Sequence, residues 1–197
     1  VSDFQRALRA IAALVPEGSR VLDLGCGDGS LLALLKRERH CSGQGIEINS
    51  EAIVSCVSKG LEVIQGDVES GLKALPTGSL DVVILNQSVQ ELRNVDGVLL
   101  DALRVGRQAV VGFPNFAHWS VRLQVGFLGR TPVTPGLPFE WYETPNLHFF
   151  SLKDFEHWCE RRNVRIVRKL FLDGERRVRL FPNLCARDGV YLIEKRA

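Results

Sequence analysis

The chain has 197 residues, 45% hydrophobic and 24% charged, with a formal net charge of +2, a globular composition that supports one substantial core. So small a net charge argues against nucleic acid or an anionic membrane surface as a partner, because both need concentrated positive charge. No apolar run approaches the roughly 18 residues of a membrane span, and five widely spaced cysteines without a CxxC pair argue against a disulfide framework or zinc site. With no signal pattern at the start, a cytoplasmic protein is expected, organised as a single domain over residues 1–197.

In chain order, Phe4, Leu8, Ile11, Ala12 and Val15 recur at helical spacing and predict a helix over 3–14, stopped by Pro16 and Gly18. Short apolar runs then alternate with helical segments: strand 20–24, helix 30–36, strand 43–47, helix 51–57, strand 61–65. A strand at 80–85, a helix at 95–103 and a strand at 108–113 continue the pattern, which is that of βαβ units on a parallel sheet. After a helix at 152–162, β-like stretches at 165–172 and 190–194 predict an antiparallel edge. The basic residues from Arg161 to Arg179 read as solvated faces of that helix and strand.

Residues 113–150 differ in texture, holding five of the eight prolines and nine of the fifteen aromatic residues without a period. An irregular insertion over about 114–150, placed after the fifth strand, predicts a lid or binding loop near the carboxyl ends of the strands.

The strongest motif is Val21-Leu22-Asp23-Leu24-Gly25-Cys26-Gly27-Asp28-Gly29, an apolar strand running into an acid and a glycine turn that opens a helix. A dinucleotide fingerprint would place glycine at position 30, where Ser30 stands, and Asp23 and Asp28 would repel a pyrophosphate. A cationic ligand with an amino group matches better. Glu47 ends the next strand and is placed for ribose hydroxyls; Asp67 closes the third and is placed for an adenine amine. Ile48 and Val68 would sandwich the base, and Asn86 would face the ligand's other end. Singly, Glu47 or Asp67 could merely cap a helix, Gly25 and Gly27 could merely turn the chain, and Cys26 could be small filler. Together they predict S-adenosylmethionine or S-adenosylhomocysteine binding.

On these residues the chain resembles the class I S-adenosylmethionine-dependent methyltransferases over about 20–113. The resemblance implies a Rossmann-like α/β fold, a seven-stranded, mostly parallel sheet with one antiparallel edge strand and helices on both faces. For chemistry, the fourth strand ends Asn86-Gln87-Ser88, unlike the Asn-Pro-Pro-Tyr of amino-methylating nucleic-acid enzymes. Candidate bases are His118, His148, Glu140 and Glu143, all in the insertion, and neither histidine has an evident orienting carboxylate.

Phe113-Pro114-Asn115-Phe116, His118-Trp119, Trp141-Tyr142-Glu143-Thr144-Pro145-Asn146 and Phe181-Pro182-Asn183-Leu184 resemble the MetW family of methionine-biosynthesis proteins over nearly the whole chain. That resemblance implies a protein working with homoserine O-acyltransferase to support homoserine acylation, with no catalytic residue to carry over. The alternative is an active small-molecule methyltransferase with the insertion as its lid.

Overall fold

The computed structural model describes residues 3–196. The leading helix α1 (Asp3–Ala12) is followed by β1 (Arg20–Leu24), α2 (Ser30–Arg39), β2 (Ser42–Glu47), α3 (Ser50–Ser58) and β3 (Glu62–Gln65). A short α4 (Val68–Gly71) then leads to β4 (Leu80–Asn86), α5 (Val95–Val105) and β5 (Gly106–Pro114). The insertion contributes α6 (Trp119–Leu123), which continues as a wider turn of helix at Gln124–Leu128. After it come α7 (Leu152–Arg161), β6 (Val164–Asp173), β7 (Arg176–Arg177), α8 (Pro182–Cys185) and β8 (Asp188–Lys195).

The strands form one sheet in the order β3-β2-β1-β4-β5-β8-β6-β7. β1 to β5 are parallel, so the expected Rossmann-like α/β architecture is present, with one difference in detail. The sheet has eight strands rather than seven, because Arg176 and Arg177 fold back onto Asp173 and Leu172; two residues carry no period to read. The expected antiparallel edge is present, with β7 running against β6 at the rim and antiparallel β8 lying farther in, between β5 and β6. The β8 run Val190-Tyr191-Leu192-Ile193 is buried throughout, whereas β6 exposes Arg165, Arg168 and Lys169. The strand apolar on both faces takes the covered position, and the charged one the outer position.

Strand side chains alternate between two cores. Leu22, Leu24, Val83, Leu85, Val111, Phe113 and Tyr191 pack with α5 and α7. Val21, Val82, Ile84, Val110, Val190 and Leu192 pack with α1 and α2 on the opposite face. The order of winding reverses between β1 and β4: the chain moves outward from β1 to β3 and then crosses back to β4. Crevices at such switch points, outside the carboxyl ends of the strands, are where open α/β sheets hold ligands.

The insertion is fastened at both ends. Its first and last residues meet through Phe116 N–H on the Phe150 carbonyl (3.1 Å) and ring contacts of Phe116 with Phe149 and Phe113 with Phe150. Asn115, 2% exposed, donates its amide to the carbonyls of Ala186 (2.8 Å) and Asn183 (3.2 Å). The two Phe-Pro-Asn segments are thereby joined. Farther on, the N–H groups of Leu147 and His148 both reach the Gln90 carbonyl, tying the insertion's end to the segment after β4.

Candidate functional site

At the switch point lies a crevice of about 450 Å³, lined by Gly25, Glu47, Ile48, Gly66, Asp67 and Val68 from the first three strand ends. Glu69 and the segment after β4, with Gln87, Ser88, Glu91, Leu92 and Arg93, complete it. Of the residues singled out by sequence, five line the crevice together: Gly25, Glu47, Ile48, Asp67 and Val68.

The glycine turn owes its shape to positive φ at Gly25 (+72°), Gly27 (+54°) and Gly29 (+74°), a region side chains enter at a cost. Its N–H groups are largely consumed by the protein. Gly25 and Cys26 both donate to the Ile46 carbonyl, Gly27 to Glu47 Oε2 (2.8 Å), Gly29 to the Cys26 carbonyl and Ser30 to Asp28. Phosphate-binding turns work by presenting free N–H groups to the anion. This turn offers few, and it is surrounded by acids.

Asp23, at the end of β1, is 2% exposed, and no donor reaches its carboxylate among the described residues. Burial, reinforced by the charge on Glu47, pushes its pKa up to about 7. By register Asp23 lies opposite Ile84, so it shares a sheet face with Asn86 two residues farther along β4. Glu47, 8% exposed, accepts from Gly27 through Oε2 and from Ile48 (2.8 Å) and Asn49 (2.9 Å) through Oε1. Three of its roughly four lone-pair sites are therefore taken, and a two-hydroxyl contact as read from sequence requires exchange of a backbone bond.

Asp67 caps α4, accepting from Glu69 N–H at 2.8 Å, while its side chain remains exposed to the crevice. Ile48, 70% exposed, presents an apolar surface that the domain itself does not bury. Glu91, unnoticed in the sequence, is raised by burial and then by Glu47. With Glu47, Asp67, Glu69 and Glu91 against Arg93, the crevice is built for a cation.

Three sequence-selected residues sit differently. Cys26 turns under the loop, 4.0 Å from Cys56 Sγ, while Cys56 donates to the Gly27 carbonyl (3.2 Å). A Cβ on Gly45 would strike Cys26 Sγ, so both sulfurs occupy a niche that glycines leave open. Burial pushes the Cys26 thiol well up, so it fills space as a neutral thiol. Gly27 meets the site only through Glu47, with open space where its Cβ would stand. Asn86 leans over Gly112, where a Cβ would collide with Oδ1, and that oxygen is buried without a partner.

None of the insertion's candidate bases lines the crevice. His118, 3% exposed, caps α6 through Ser120, and burial lowers its pKa. His148 instead borders an apolar cavity between α5 and α7. Glu91 was missed because it arrives on a short 3₁₀ turn, Val89–Glu91, that has no period, and Gln87 because it lies in the link between β4 and that turn. The signal available was their position just after a strand that ends at the switch point.

The family model described as methionine biosynthesis protein MetW matches residues 5–193. The chain is 36% identical over 183 residues to the bifunctional methionine biosynthesis protein MetXA/MetW of Rhodopirellula baltica, covering 88% of this chain and 29% of that protein. It is 33% identical over 96 residues to a fatty-acid O-methyltransferase of Mycolicibacterium smegmatis, covering 46% of this chain and 34% of that one. The chain thus spans about a third of the length of each curated relative. Among solved structures, a SAM-dependent methyltransferase from Archaeoglobus fulgidus aligns with TM-score 0.73 at 20% identity, over 98% of this chain and 95% of that one. A possible histamine N-methyltransferase from Thermotoga maritima aligns at 0.69 and 17% identity, over 98% and 89%. At such identities the structural likeness establishes the fold.

Proposed function

Because this chain belongs to the MetW family of methionine biosynthesis proteins, we propose that it binds S-adenosylmethionine or S-adenosylhomocysteine and works in the cytoplasm with homoserine O-acyltransferase to support homoserine acylation. The observation that carries the partnership is the Rhodopirellula relative, in which a MetXA part and a MetW part share one polypeptide. Two modules joined by a chain meet at an effective concentration near millimolar, and such a fusion supports an association between the separate chains.

The cofactor reading rests on the acidic crevice. Glu47, Asp67, Ile48 and Val68 would hold the adenosine, while Asp23 and the turn at Gly25 would meet the cationic end. The group brings a sulfonium and an ammonium, charges that a buried carboxylate and a wall of acids favour. Cys26, Gly27 and Asn86 support the site from behind rather than by side-chain contact with the ligand.

The insertion is the docking element. Trp141 and Tyr142 are 69% and 66% exposed, stacked edge to face at 5.6 Å, with little of their area spent on the domain. Mixing the chain with the acyltransferase and measuring both complex formation and acylation rate tests this. A complex and a raised rate are expected, and Trp141→Ala or Tyr142→Ala should weaken binding by about 2 kcal/mol if either is a hot spot. Absence of both effects would sink the partnership.

A second reading, an active small-molecule methyltransferase, is favoured by one observation. Glu91 in the crevice has its pKa raised by burial and by Glu47, the direction a general base needs. Formation of S-adenosylhomocysteine with a metabolite, lost in Glu91→Gln, would support it; cofactor binding without any turnover would count against it.

A further inference from the structure

The helix that opens the insertion has its apolar face turned outward. Along α6 and its continuation, Val121 is 3% exposed, whereas Trp119, Leu123 and Phe127, spaced four apart, are 50%, 45% and 83% exposed. Residues four apart share a helix face, so this ridge is the reverse of what a surface helix uses to stabilise its own domain. Arg122, three residues on from Trp119 and hence beside it, forms one wall of a groove of about 300 Å³. Leu152 and Phe171 lie within that groove, and residues 181–184 form its other wall.

That second wall is strained and exposed. Phe181 holds φ +48°, costly for a bulky side chain, and is 76% exposed beside Leu180 at 77%. Strain that displays an aromatic ring to water contributes nothing to the fold and is retained where a surface is used. The surroundings are cationic: Arg122 and Lys153 line the groove, Arg179 is exposed two residues before Phe181, and none of the three has a carboxylate partner among the described residues. Glu156, the acid lining the groove, is already held by Lys169 (2.8 Å) and the Tyr191 hydroxyl (3.1 Å).

We propose that this groove and ridge dock an acidic amphipathic segment of the acyltransferase, with an apolar side chain seated in the groove and carboxylates facing Arg122, Lys153 and Arg179. The proposal rests on the partnership argued above and assigns its surface. Charge complementarity selects an acidic segment, and concavity selects a protein over an anionic membrane. A lipid surface is met by protruding apolar residues, whereas a groove with Leu152 and Phe171 inside it receives a side chain.

The test measures the affinity of the acyltransferase for the wild-type chain, for Phe181→Ala and for the double variant Lys153→Glu/Arg179→Glu, at two salt concentrations. Loss of at least about thirtyfold is expected for Phe181→Ala, and of about tenfold with a flattened salt dependence for the double variant. Lys73→Glu, outside the groove, should bind as wild type. Because Lys153 and Arg179 are exposed and support no intramolecular ion pair among the described residues, the double variant keeps the fold and remains informative if Phe181→Ala does not. A wild-type complex that both sets of changes leave intact overturns the groove but not the partnership. No wild-type complex overturns both. A defect confined to binding of phosphatidylglycerol vesicles, with the protein complex unchanged, reassigns the surface to lipid and overturns the proposal.

Discussion

Asp23 is a carboxyl that the fold leaves 2% exposed, with no donor among the described residues directed at it. Its pKa is 3.8 unperturbed and about 7 in the folded chain. Between those values the folded state holds a proton that the unfolded state has lost. The stability associated with the protonated form is thus full below the unfolded value and declines as pH rises through about 7. A cationic ligand reverses that preference. Binding should release a proton near neutrality, and affinity should climb with pH until Asp23 ionises unaided. Melting temperature from pH 5 to 8, with calorimetry in buffers of different ionisation heat, reads both effects. Asp23→Asn should melt higher than wild type at pH 8, flatten the pH dependence and weaken binding by about 1.5–3 kcal/mol; identical pH profiles for the two proteins would refute the assignment. Gly29 gives a second residue-scale expectation. At φ +74°, an added Cβ would meet Leu61 Cδ1 at 2.5 Å and Cys56 Sγ at 2.8 Å. Gly29→Ala should cost about 2–5 kcal/mol in urea denaturation, from strain and overpacking together. Asp23, Glu47 and Asp67 were legible because each ends a strand beside a turn, where a carboxylate is conspicuous. The contact of Cys26 with Cys56 was not, since tertiary packing joins residues thirty apart.

At the scale of elements, every strand and helix from β1 to β5 whose apolar period was strong lies within a few residues of where the period placed it. What could not be read was α6, whose period points outward, and β7, which has none. The insertion holds together through tertiary bonds instead. Asn115 is its hinge pin: its amide satisfies two carbonyls in the 181–186 segment, and its Oδ1 accepts from Ala117 N–H at 3.1 Å. Asn115→Ala leaves buried carbonyls without donors, and a loss of about 2–3 kcal/mol is expected in chemical denaturation. Hydrogen exchange should quicken in both Phe-Pro-Asn segments while the β1 to β4 amides stay protected. Unchanged exchange in the 181–186 segment would show that the insertion is held by its aromatic contacts rather than by this side chain.

Across the whole molecule, Gln87 links the crevice, by way of Asp188, to the strand pairing from which the insertion departs. It sits at φ +61° in the crevice wall, with its N–H on the Gly112 carbonyl (2.8 Å) and its amide on Asp188 Oδ1 (3.0 Å). Asp188 pairs in register with Pro114, and the next residue, Asn115, donates its N–H to the Arg187 carbonyl (2.6 Å). A ligand that shifts Gln87 therefore acts on the point where the insertion leaves the sheet. With the cofactor and the acyltransferase bound as proposed above, this contact can couple the two sites. If it does, the coupling is reciprocal: the factor by which cofactor changes partner affinity equals the factor by which partner changes cofactor affinity, and a value of about 5–150 is the usual range. Measuring all four edges of that cycle gives the factor twice over. Gln87→Ala should reduce it toward one while leaving partner affinity in the absence of cofactor within about threefold, since Gln87 lies outside the groove. A wild-type factor of one would show the two sites to be independent. A factor preserved in Gln87→Ala would move the coupling to the other contact between crevice and insertion, where Leu147 and His148 hang from the Gln90 carbonyl.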